Sequence, residues 1–174
     1  MFGDESPEII LSLNKLLEIY REEGNYPLAE KTGKEIVSIL EDHPDKDKTN
    51  LVTSLTNLAL LYREEGKSAE VEPLLKRTIE LAGLPDSGCS KEDLANDMNN
   101  LARFYREQGN YDQSQIYYKQ SLALRQSILS PHDLRIAASL RNYANLLRRM
   151  ENNDEAEKLD KQAEAIERKP ESNN

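Results

Sequence analysis

The chain of 174 residues has no tryptophan, one cysteine (Cys89) and two histidines, His43 and His132. A single cysteine rules out an internal disulfide, and one thiol with two separated histidines falls short of a structural zinc site. Glycine and proline number only seven each, too few for a low-complexity chain. Nowhere do ~18 apolar residues run together, which argues against a membrane-spanning helix. The start, Met1, Phe2, Gly3, Asp4 and Glu5, has neither the basic beginning nor the apolar run of a secretion signal, so a cytoplasmic setting follows by default. Basic charge is also scarce: 23 Lys and Arg against 32 Asp and Glu leave a net charge of −9. That is the wrong sign for a nucleic-acid partner, and no basic cluster is interleaved with stacking aromatics. No nucleophile elbow, phosphate loop, metal-ligand cluster or spaced carboxylate pair is visible. The sequence therefore predicts no enzyme, no catalytic or metal-binding residue and no cofactor.

What is there is repetition. NLARFYREQG at 100–109 returns as NLALLYREEG at 57–66, KLLEIYREEG at 15–24 and NYANLLRRME at 142–151. Tyr20, Tyr62, Tyr105 and Leu147 follow one another at steps of 42, 43 and 42 residues. A fixed period of this size signals stacked units, none of which buries its apolar face alone.

Within each period, apolar residues recur at three- and four-residue steps, the signature of amphipathic helices. Ser6-Pro7-Glu8 offers a helix start, after which Ile9, Leu13, Leu16, Leu17 and Tyr20 form a stripe that stops near Gly24. Its partner helix, 27–41, carries Leu28, Ala29, Ile36, Val37 and Leu40, with Gly33 costing roughly 1 kcal/mol against alanine. His43-Pro44-Asp45 breaks the chain, and both histidines read as junction residues. The second pair, 48–65 and 68–82, turns Leu51, Leu55, Leu58, Ala59 and Tyr62 inward, then Val71, Leu74, Leu75 and Ile79. A loose linker, 83–89, leads to Ser90-Lys91-Glu92-Asp93, a capping box that opens the third pair. There the stripes are Leu94, Met98, Leu101, Ala102 and Tyr105, then Tyr111, Ile116, Tyr117, Leu122 and Leu124. Ser130-Pro131 restarts the chain as Ser6-Pro7 does. The fourth pair, 133–150 and 153–167, presents Ile136, Leu140, Tyr143, Ala144 and Leu147, then Ala156, Leu159, Ala163 and Ile166. Its outer side is nearly all charged or amide, as suits the solvated end of an array, and 169–174 reads as a disordered tail.

Leucine then alanine (Leu58-Ala59, Leu101-Ala102), tyrosine three residues on, glycine four later and a small residue five past that glycine (Ala29, Ser114, Ala156) resemble the tetratricopeptide repeat. The period near 42 and the His-Pro-Asp junction are similar to the kinesin light chain type. Val71, Leu17, Leu147 and Glu151 depart from the pattern. The resemblance implies an all-α fold, a right-handed α-solenoid of about four antiparallel helix pairs forming a TPR superhelix. Its units would be 8–47, 48–90, 91–132 and 133–168 within a single array spanning 1–174.

On the third repeat's first helix Asn96, Asn99, Arg103 and Arg106 share the face opposite the apolar stripe. Equivalent positions hold Ala138, Arg141, Asn145 and Arg148 in the fourth repeat, Thr53, Thr56, Leu60 and Arg63 in the second, and Leu11, Asn14, Glu18 and Arg21 in the first. Two rungs recur: Lys15, Asn57, Asn100 and Asn142 before the apolar pair, and Arg21, Arg63, Arg106 and Arg148 after the tyrosine. Asparagine can satisfy the backbone of an extended peptide, and arginine forks onto carboxylates. The resemblance implies that first helices line a concave groove. The expected peptide-binding groove is therefore Asn57, Arg63, Asn99, Asn100, Arg103, Arg106, Arg141, Asn142, Asn145 and Arg148. It would hold an extended acidic or carboxylate-bearing segment of a protein partner, making the chain an adaptor or scaffold that is a monomer or weak dimer, without nucleic acid or membrane. Blander readings stand beside it: the arginines complement helix dipoles and aid solubility, the asparagines pack between helices, and the tyrosines are core. The alternative function is structural assembly or self-association through the end repeats, with the groove idle, marked by an exposed apolar patch near Ile9 and Leu13 or Leu159 and Ile166.

Overall fold

The computed structural model describes residues 6–42 and 48–168; the expectations for the first five residues, for His43-Pro44-Asp45 and for the tail lie outside them. Among the described residues there are eight helices and no strands: α1 (Ser6–Glu22), α2 (Tyr26–Glu41), α3 (Lys48–Glu64), α4 (Ser68–Ala82), α5 (Lys91–Glu107), α6 (Tyr111–Ile128), α7 (Leu134–Arg149) and α8 (Asn153–Glu167). They fall into two compact units, Met1–Cys89 and Ser90–Asn174. In the first, α1 packs on α2, α2 on α3 and α3 on α4; in the second, α5 packs on α6, α6 on α7 and α7 on α8.

One backbone device closes all four helix pairs. Gly24, Gly66 and Gly109 adopt φ of 69°, 73° and 76°, each donating to the carbonyl three residues back (Arg21, Arg63, Arg106), while the following residue donates to the tyrosine carbonyl at Tyr20, Tyr62 or Tyr105. These are paired reverse-turn bonds that satisfy the last carbonyls of a helix, and they require a left-handed residue. The fourth pair makes the same bonds, to Arg148 and Leu147, with Glu151 at φ 61°. An L-residue held there costs about 1–2 kcal/mol, so Glu151→Gly is expected to stabilise the second unit by about 1 kcal/mol after the unfolded-state entropy is offset. Urea denaturation of the two proteins checks this.

The third pair opens on the expected capping box: Ser90 Oγ accepts from the Asp93 amide at 3.1 Å and Asp93 accepts from the Ser90 amide at 3.0 Å. The fourth does not open on Ser130-Pro131. Asp133 is the N-cap, its carboxylate accepting from the Arg135 amide at 2.9 Å, and the Ser-Pro pair stays in the loop.

In the first unit Leu51, Leu55, Leu58, Ala59 and Tyr62 are buried, as are Val71 and Leu75. Gly33 explains itself: a Cβ there would lie 3.1 Å from Leu58 Cδ1 and 3.3 Å from Leu17 Cδ1, so the missing side chain lets α2 approach both neighbours. The second unit buries Ile136, Leu140, Tyr143, Ala144 and Leu147, with Ala156, Leu159 and Ala163. Four expected core residues, Ile9, Leu16, Leu28 and Ile116, are instead exposed. In α6 the buried stripe is Ser114, Tyr118, Ser121 and Arg125. There the serine hydroxyls donate to the backbone of α5, Ser114 to Ala102 O and Ser121 to Ala95 O, both at 2.7 Å, so small polar side chains hold the pair where bulk would separate it.

Charge locks α2 to the α3–α4 turn. Glu30 receives hydrogen bonds from Lys34 and Lys67 and one from Tyr62 Oη at 3.2 Å. The two ammonium groups hold its carboxyl down at about 2, against an ordinary 4.5. A depressed carboxylate contributes stability above its unfolded value that is lost as pH falls through the folded one. The first unit is therefore expected to lose stability from about pH 4.5 to about pH 2, and Glu30→Gln to flatten that fall in urea midpoints measured across the range.

Candidate functional site

In the second unit the polar face of α5 and α7 carries seven of the ten predicted groove residues at 99–145, with Arg148 at its end, and the structure treats them differently. Asn142 Nδ2 donates to Asn99 Oδ1 at 3.2 Å, so one amide pair spans from α7 to α5. Arg141 forks onto Glu167 through Nε at 3.0 Å and Nη2 at 2.5 Å. Arg148 is bound to Asp160 and reaches Asn145 Oδ1 at 3.3 Å. Both predicted groove arginines of the fourth repeat thus hold carboxylates of α8. Asn100 is half-buried and Asn145 exposed.

Arg103 and Arg106 differ. Both are half-buried, and neither forms an ion pair with a carboxylate among the described residues. Beside them, in α6, Tyr118 is 1% exposed and its hydroxyl oxygen is buried without a hydrogen-bond partner. Burial pushes this phenol above its ordinary value, while the positive charges of Arg106 and Arg103 act the other way. The ring stacks on Tyr143, centroids 6.5 Å apart. The hydroxyl is closed to solvent, so an anion drawn to this face meets the two guanidinium groups and not the phenol.

In the first unit Asn57 and Arg63 are half-buried on α3, and Arg21 of α1 pairs with Glu64 at 3.1 Å. Among the described residues no group of three His, Cys, Asp or Glu could hold a metal ion. No described helix is long and apolar enough to cross a membrane.

The sequence profile of the tetratricopeptide repeat matches residues 8–83 and 93–169. The chain belongs to the tetratricopeptide repeat family. Its helix pairs are those of a protein–protein interaction module, a class generally made of non-enzymatic scaffolds. Among solved structures, BtubC (BKLC) from P. vanneervenii superposes with a TM-score of 0.81 at 16% identity, covering 100% of this chain and 71% of the other. A putative kinesin light chain of P. anserina with nearly identical repeats gives 0.73 at 20% identity over 91% and 74%. The apo form of RapI gives 0.78 at 11% over 91% and 56%. At these identities the likeness is one of fold. No protein of curated function matches the chain in sequence.

Against that tetratricopeptide frame, the residue that sequence reasoning missed is Arg125. It lies on the inner stripe of α6, its side chain 8% exposed. Nε donates to Glu92 Oε1 at 3.3 Å and Nη1 to Ser139 Oγ at 2.5 Å, and Nη2 is bound to Asn96 Oδ1. One guanidinium therefore fastens α6 to the start of α5 and to α7. Its signal is the four-three-four spacing of Ser114, Tyr118, Ser121 and Arg125, which an apolar count passes over.

Proposed function

We propose that this tetratricopeptide chain is an adaptor that captures an extended, acidic or carboxylate-bearing segment of a partner protein on the polar face of its first helices. The observation that carries the reading is the pair Arg103 and Arg106, half-buried and without a carboxylate partner among the described residues. In this reading the two guanidinium groups attract the carboxylate, and the amides of Asn100 and Asn145 bind the ligand backbone. Asn57 and Arg63 place the same residue types on α3 of the first unit. Arg141, Arg148, Asn99 and Asn142 serve as supports, because their groups already hold one another or α8.

The test uses an arrayed library of labelled acidic nonapeptides and their lysine counterparts, read by fluorescence anisotropy. Acidic sequences are expected to bind preferentially and to weaken as salt rises. Arg103→Glu with Arg106→Glu is expected to lower affinity about 100-fold, the loss of two charge-assisted hydrogen bonds. Tyr118→Phe serves as the packing control: it should raise the melting temperature, since it removes a buried unsatisfied group, and leave binding unchanged, since the hydroxyl is closed to the ligand. Equal binding of both charge classes, or an unchanged affinity in the double glutamate variant, would sink the reading.

A further inference from the structure

Among the described residues, none covers one apolar stripe of the first helix. Ile9, Leu16 and Ile19 are 44%, 41% and 47% exposed. One period later the same positions of α3 are Leu51, Leu58 and Leu61, at 4%, 4% and 0%; in α7 they are Ile136, Tyr143 and Leu146, at 3%, 6% and 0%. The difference is a preceding second helix. Leu58 lies under Gly33 of α2, and Tyr143 under the Tyr118 ring of α6. The repeat's own register therefore says what fits on Ile9, Leu16 and Ile19: an amphipathic helix laid across α1 as α2 is laid across α3. A cleft of about 420 Å³ opens on the stripe, lined by Glu8, Ile9, Ser12 and Leu13.

Charge selects among occupants. The flank carries Glu8, Glu22 and Glu23 against Lys15, and Arg21 is already paired with Glu64. Two copies of α1 packed antiparallel would set Glu8 against Glu22 and Lys15 against Lys15, like against like. The last helix of a second copy fits no better. Where α2 offers Gly33, Val37 and Leu40, α8 offers Asp160, Glu164 and Glu167 at the equivalent positions, and Asp160 and Glu167 hold Arg148 and Arg141. We propose that the uncovered face of α1 is a docking surface for one helix of a partner protein, aliphatic on its inner side and basic along its edges. It is independent of the anion-reading face of α5.

The probe is a labelled, end-blocked peptide of residues 26–41 in which Glu30, Glu35 and Glu41 are replaced by lysine, titrated against the full chain by anisotropy. Saturable binding is expected, at least fivefold tighter than for the peptide with its native glutamates. Ile9→Gln with Leu16→Gln, both already exposed and so compatible with the native circular dichroism and melting temperature, should lose at least tenfold. Arg103→Glu with Arg106→Glu should bind it as the native chain does, which keeps this surface distinct from the other. Absence of saturable binding, or equal binding by the Ile9/Leu16 variant, would overturn the proposal. So would a native dimer in sedimentation that this variant dissolves, since a second copy would then be the occupant.

Discussion

Replacing Arg125 by methionine is expected to destabilise the second unit by about 3–5 kcal/mol, the usual cost of breaking a buried pair from one side. The guanidinium is the close cationic partner of Glu92, since Arg135 Nη1 stands 4.0 Å from the other carboxylate oxygen. Methionine fills the volume and supplies no donor. The Glu92 carboxylate, 20% exposed, would lose its hydrogen-bonded counter-charge and keep only the more distant Arg135, and Asn96 Oδ1 would lose its donor. Ser139 suffers less, because its hydroxyl also donates to Arg135 O at 2.9 Å. Changing Glu92 to methionine as well should recover a large part of the loss, because two apolar groups leave no stranded charge. Urea unfolding of the single and double variants measures this. A single variant within 1 kcal/mol of the native chain would mean that water replaces the guanidinium.

Ser114→Leu is expected to cost the same unit about 3 kcal/mol, at the upper end for overpacking a filled core. Ser114 and Ala102 are both 0% exposed, and the hydroxyl of one touches the carbonyl of the other. A leucine must push α6 from α5, breaking the neighbouring bond from Ser121 to Ala95 O and misplacing Arg125 against Asn96 and Glu92. Ser114→Ala removes one hydrogen bond and no volume from its neighbours, so about 1 kcal/mol is expected. Thermal unfolding followed by circular dichroism should rank native, alanine and leucine in that order.

How much of this was legible in the sequence depended on whether a residue's surroundings lay within its own period. The helices, their turns and the inward faces of α3 and α7 follow from apolar spacing, because Leu51, Leu58, Ile136 and Leu147 each recur in register and each has a covering helix. Ile9 and Leu16 obey the same spacing yet stand exposed, since periodicity records which residues want burial and says nothing of a neighbour to bury them. In α6 the pattern misled in the opposite sense: Ile116 is exposed and Arg125 buried, because hydroxyl-to-backbone bonds replace apolar contact. For the candidate site, arginines after the turn tyrosine were visible by position. Which were already occupied was not, since the carboxylates on Arg148 and Arg141 come from Asp160 and Glu167 on another helix.

The closed turns that follow Tyr20, Tyr62, Tyr105 and Leu147 also bear on speed. Each joins two helices through hydrogen bonds of the main chain between residues at most five apart, and the main helix packing within a unit is between neighbours in the chain. Little loop entropy opposes such contacts, a topology that folds in microseconds to milliseconds. Helical hairpins are then expected to form early, and the bonds of Arg125 to Glu92, Asn96 and Ser139 can close only once α5, α6 and α7 have all packed.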